Sequence, residues 1–96
     1  MLVNAVTYTF PAEKADAVAP VLIELATASR RESGCLGFDV SRSNDDPRVF
    51  VLYEKWRDQA ALDAHYATDH FIALGVNGIR PLAESRLAHK CTPLIA

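Results

Sequence analysis

Residues 36–56 read LGFDVSRSNDDPRVFVLYEKW. Two runs rich in β-branched and aromatic residues, 36–43 and 48–56, flank the turn-forming tetrapeptide Asn44-Asp45-Asp46-Pro47. Such a strand–turn–strand pattern is an antiparallel hairpin. The first run sets Phe38 and Val40 on one face. The second is the strongest strand signal in the chain, and its alternation puts Phe50, Leu52, Glu54 and Trp56 on one side. What lies on either side of this hairpin then decides the fold.

Upstream, residues 2–10 (LVNAVTYTF) alternate as a strand, with Leu2, Asn4, Val6, Tyr8 and Phe10 on one face and Pro11 as its end. Residues 13–31 place Ala15, Val18, Leu22, Leu25 and Ser29 on one helical stripe. Pro20 is expected to kink that helix or mark its true first turn. Gly34 is expected to stop it, after Arg30 and Arg31. Downstream, Asp58 is a good N-cap for a helix whose Ala61, Leu62, His65 and Tyr66 share a face. Thr68 reads as a second N-cap, starting a short helix that carries Phe71, Leu74 and Gly75. Asn77-Gly78 should break it, and Pro81 should prevent a restart. Residues 85–92 form a last strand. The order β-α-β-β-α-β predicts an α+β, ferredoxin-like fold: a four-stranded antiparallel sheet with helices on one face. The other face would be bare, and a second copy of the chain is its natural cover.

The 96 residues suit a single domain spanning 1–96, with no repeat or low-complexity segment. Half the residues are hydrophobic and the formal charge is −2, as in ordinary globular domains. Arg30, Arg31, Arg42 and Arg48 alternate with Glu32, Asp39, Asp45 and Asp46, so no basic patch points to nucleic acid. No apolar run reaches the roughly 20 residues of a membrane helix. The N-terminus lacks a basic leader region, so a cytoplasmic location is expected. Cys35 and Cys91 are expected to be reduced and partly buried.

His65 and His70 stand five apart, about 140° out of register on one continuous helix. No metal site is therefore expected, and no nucleotide- or flavin-binding motif is present. The constellation that suggests chemistry is Asn4 and His65 on facing apolar stripes beside Trp56. Buried polar groups need partners, and two of them beside an indole suggest a pocket. Asp69 is one candidate partner for His65. For Glu54, a buried ion pair is as good a reading as a role in the site.

RRESGCLGFDV at 30–40 and VLYEKWRDQAALDAHYATDHF at 51–71 resemble the antibiotic biosynthesis monooxygenase superfamily. The first matches its Arg, Glu, Gly and Cys before the second strand, with Ser33 where Pro is frequent. The second matches E-x-W, Ala-Leu, His and T-x-H-F. The resemblance implies a dimeric α+β barrel. It is nearest to members that oxidise quinols or aromatic polyketides with O₂ and need no cofactor. An isomerase-type group acting on a phosphorylated quorum-sensing sugar product is similar too, but Trp56 stands where that group often has Tyr. Its substrate would require Arg42, Arg80 and Arg86 to converge. Haem-degrading members match at Asn4 only, because their helix Trp and their His fall on His65 and Gly75. A non-enzymatic small-molecule-binding dimer is a further alternative.

On the monooxygenase reading, the substrates are a small aromatic and O₂. His65 is the base or orienting group, and Asn4 donates to a developing oxyanion. Trp56, Phe50, Leu52 and Leu62 form the apolar wall. Tyr66, His70 and Phe71 line the mouth.

Overall fold

The computed structural model describes residues 1–95. Strands β1 (Leu2–Thr9), β2 (Cys35–Arg42), β3 (Val49–Trp56) and β4 (Ser85–Cys91) form one antiparallel sheet in the order β2-β3-β1-β4. Helix α1 (Ala12–Ser29) joins β1 to β2, and the helical layer between β3 and β4 begins with α2 (Gln59–Tyr66). This is the expected ferredoxin-like α+β arrangement. Register pairs Asn4 with Glu54 and Val6 with Leu52 across β1 and β3, so the inward faces of the two central strands coincide.

The core lies between the sheet and the helices. Trp56, Phe10, Phe38, Leu22, Leu62 and Ile79 are fully buried within it, each contributing about 1.5–3 kcal/mol by leaving water. The expected stripe of α1, Ala15, Val18, Leu22, Leu25 and Ser29, is buried, together with Ala26. The helix begins at Ala12 and runs through Pro20 without stopping. Pro20 lies on the exposed face, where water can reach the carbonyl that proline leaves without a donor. Gly34 is not a left-handed stop, since no described glycine has positive φ. Its role is close approach: a Cβ there would collide with the Ala61 side chain of α2.

The second helical region departs from expectation beyond Thr68. Phe71–Ile79 forms a nine-residue π-helical segment, here α3, followed by a 3₁₀ turn at Arg80–Leu82. Asn77-Gly78 does not break it, and Pro81 sits inside the 3₁₀ turn. Packing against α1 overrides the weak helical preference of these residues. At Gly78 a Cβ would stand 3.3 Å from the Ala73 carbonyl oxygen and 3.8 Å from Val21 Cγ1, so the bare backbone permits the close pass. At Gly75 a Cβ would meet the Phe71 ring at 3.2 Å.

The opposite face of the sheet carries exposed Val51, Tyr53 and Leu87, grouped around Ala5 and Thr7 by strand register. Cys35 is half-buried and Cys91 exposed, a correction for the latter, and neither is bonded. They sit on opposite edge strands of the sheet, too far apart for a disulfide. The arginines pair individually with acids: Arg30 with Asp39, Arg48 with Asp46 and Arg42 with Asp16. Among the described residues no helix is long and apolar enough to cross a membrane.

Candidate functional site

Asp58 Oδ1 accepts from the Ala61 amide at 2.9 Å, fixing the start of α2 and the rotation that turns Leu62 and His65 inward. His65 is 1% exposed. Its ring lies 4.5 Å from the Trp56 ring and 5.0 Å from the Phe71 ring, centroid to centroid. Its hydrogen-bond partner is not Asp69. His65 Nδ1 stands 2.7 Å from Glu32 Oε2, and His70 Nε2 stands 2.8 Å from the same oxygen. A carboxylate oxygen only accepts, so each of those ring nitrogens carries a hydrogen. Neutral His65 therefore keeps its lone pair on Nε2. Burial holds the His65 pKa below its ordinary value, partly offset by the Glu32 hydrogen bond.

The end of α2 and the turn that follows make this sharing possible. Thr68 Oγ1 donates to the His65 carbonyl at 2.7 Å and accepts from the Phe71 amide at 3.2 Å. That turn removes the 140° mismatch of a continuous helix and brings both imidazoles to Glu32.

Inward from His65 is a cavity lined by Asn4, Val6, Tyr8, Leu25, Phe38, Leu52, Glu54, His65, Tyr66, Phe71 and Arg86. Its volume of about 20 Å³ is room for a water rather than a ring. Of the residues expected from sequence, Asn4, Leu52, His65, Tyr66 and Phe71 line it. Trp56 and Leu62 are buried behind it. Phe50 does not line it and packs edge-on to Phe10, beneath the Arg42 guanidinium. His70 is on the Glu32 side.

Three further contributors join these: Glu54, left open between an ion pair and the site, Arg86, considered only for a phosphate, and Glu32, which the sequence reading missed. Glu54 is buried at 4% exposure and makes no ion pair. It accepts from Trp56 Nε1 at 3.1 Å and from Asn4 Nδ2 at 3.4 Å. Burial lifts its pKa to about 7, against the lowering effect of those two bonds and of the Arg86 charge. The signal was available, since alternation placed a carboxylate on the most apolar strand. Glu32 gave no such signal, being 33 residues from His65. Arg86 reaches the cavity from β4, its Nε donating to the Tyr8 hydroxyl at 3.2 Å. Arg42 is elsewhere, so the three arginines do not converge on this cavity.

Asn4 was expected to offer a donor. Its Nδ2 is instead turned to Glu54, and the atom left without a partner is the buried carbonyl Oδ1. A buried unpaired acceptor is costly, and a water in the cavity or a ligand hydroxyl would satisfy it. The cavity is thus lined by a carboxamide, a carboxyl poised near neutrality, an imidazole and a cation within aromatic walls.

The profile of the antibiotic biosynthesis monooxygenase family matches residues 1–74. A crystal structure described as an antibiotic biosynthesis monooxygenase superposes with a TM-score of 0.92 at 33% identity, covering 99% of this chain and 100% of that one. Rv0793 of Mycobacterium tuberculosis is 33% identical over 76 residues, covering 75% of this chain and 74% of that protein. Its crystal structure has a TM-score of 0.86. A 43-residue match to the Synechocystis protein sll1783, 37% identical, covers 45% of this chain and only 29% of that protein. By sequence profile, fold and the extent of these matches, the chain belongs to the antibiotic biosynthesis monooxygenase family.

Proposed function

We propose that this chain is a cofactor-independent monooxygenase oxidising a small quinol or a phenolic, polyketide-like aromatic with O₂. The observation that carries this reading is the convergence of His65, Asn4, Glu54 and Arg86 on one aromatic-walled cavity. A phenol hydroxyl donates to Asn4 Oδ1 or to His65 Nε2, and the imidazole takes its proton. The phenolate is held by the Arg86 charge in a water-poor site, where such stabilisation is strongest. It passes one electron to O₂, giving a phenoxyl radical and superoxide. These recombine as a C–O bond to a ring carbon. The peroxide is protonated, the ring C–H proton leaves, and the O–O bond breaks. One oxygen stays on the ring as a quinone carbonyl and the other departs as water. Glu54, near its own midpoint at neutral pH, can take and return a proton in these steps. A ring enters by displacing Tyr66 and Phe71, the partly exposed members of the wall. The bare sheet face around Tyr53, Val51 and Leu87 is covered by a second copy, making a homodimer.

The test is O₂ uptake over a panel of hydroquinones by chelator-treated protein. Turnover should fall at least about 100-fold in His65→Ala, the lower range for loss of a general base. Unchanged turnover in a folded variant removes the base assignment. Ring binding without O₂ consumption across the panel makes the chain a binding protein instead.

A further inference from the structure

We propose that Glu32, His65 and His70 form a binding site for a divalent transition-metal ion of the zinc type. One oxygen and two ring nitrogens from these residues lie within 4.8 Å of one another. They come from three places in the fold: the turn after α1, the inward face of α2, and the turn that begins at Thr68. Two imidazoles and a carboxylate are the donor set that zinc and its neighbours take. Magnesium and calcium prefer all-oxygen shells. Bonds of about 2.0–2.2 Å in a tetrahedral site separate ligand atoms by about 3.4 Å. Glu32 Oε2 is now 2.7 and 2.8 Å from the two nitrogens, so this oxygen must draw back by several tenths of an ångström for the ion to enter.

The side chains are sheltered yet reachable. Counting side-chain atoms alone, exposure is 2% at His65, 14% at Glu32 and 25% at His70. A surface groove of about 280 Å³, lined by Glu32, Gly34, Arg57, Ala64 and Thr68 among others, leads to the carboxylate. Water from this side would complete the coordination.

The ion would occupy the lone pair of His65 Nδ1 and so leave the ring hydrogen on Nε2. The nitrogen available to the cavity then donates and no longer accepts. Metal loading would thereby switch off His65 as a base, a consequence that rests on the function proposed above; the site itself does not.

The experiment titrates untagged, chelator-treated chain with Zn²⁺ by calorimetry. One equivalent should bind. Glu32→Gln and His70→Ala should each weaken binding at least about 100-fold, the upper end of what outer-shell changes alone produce. His89→Ala, altering an exposed histidine on β4, should change nothing. On the unaltered chain, Zn²⁺ should move the ring ¹⁵N resonances of His65 and His70 and leave those of His89 in place. The proposal is overturned if wild type shows no saturable binding, if folded Glu32 and His70 variants bind as wild type does, or if only His89 responds. The resonance measurement needs no substitution, so an unfolded variant would not spare the proposal. Loss of quinol turnover would not touch this result, and absence of zinc binding would not touch the oxidation.

Discussion

Replacing Glu54 by Gln should change how stability depends on pH more than it changes the structure. Burial lifts the Glu54 pKa from an ordinary 4.5 to about 7. At about 1.36 kcal/mol per tenfold change in proton affinity, that difference is worth about 3 kcal/mol. The sign follows from which state holds the proton more tightly. The folded chain does, so stability from this group is complete below pH 4.5. It is lost progressively as pH rises to about 7, and the loss levels off above that. Glutamine keeps the shape and can still accept from Trp56 Nε1, but it has no proton to lose. Urea denaturation at fixed protein concentration should therefore show the difference, variant minus wild type, growing by about 3 kcal/mol between pH 4.5 and pH 8. His65 is common to both chains and cancels. A difference that stays flat across this window would refute the claim that Glu54 is buried at a cost to its charged form.

Gly34→Ala forces a methyl into Ala61 and should destabilise by about 1–3 kcal/mol, as overpacking does; adding Ala61→Gly should recover most of the loss in chemical denaturation. Asp58→Ala removes the N-cap of α2 and should cost about 1 kcal/mol in the same assay. In metal-free protein the His65 ring should titrate below 6.5, because burial disfavours its charged form. Stability from the neutral ring is then held above pH 6.5 and lost as pH falls below it. Glu32→Gln removes an influence that raises the His65 pKa, so NMR should find it lower still; a rise would contradict the assigned hydrogen bond.

Elements whose physics is local were legible in the sequence. The hairpin at 36–56, the inward face of β1 and the stripe of α1 follow from alternation and helical period, and the structure reproduces them. Asn4 and His65 were found by the same logic, as polar residues on apolar stripes. What sequence could not show was who meets them. Glu32 reaches His65 only because Gly34 lets the turn after α1 press against α2, and that is a tertiary event. The spacing of His65 and His70 misled for the same reason: a turn bonded through Thr68 cancels the geometry of a straight helix. Asn77-Gly78 looked like a stop because intrinsic preference was weighed without the α1 surface waiting beside Val21. Phe50 and Trp56 share a strand face with the cavity residues but lie at the wrong positions along it. Parity assigns a side, not a distance.

The Phe71 ring rests against the bare backbone of Gly75 while also forming part of the cavity wall. Position 75 is therefore a sizing screw for the chamber. Each atom added there must shift that aromatic panel by a few tenths of an ångström or more. A substitution at this one residue would resize the cavity with the ionisable groups left untouched.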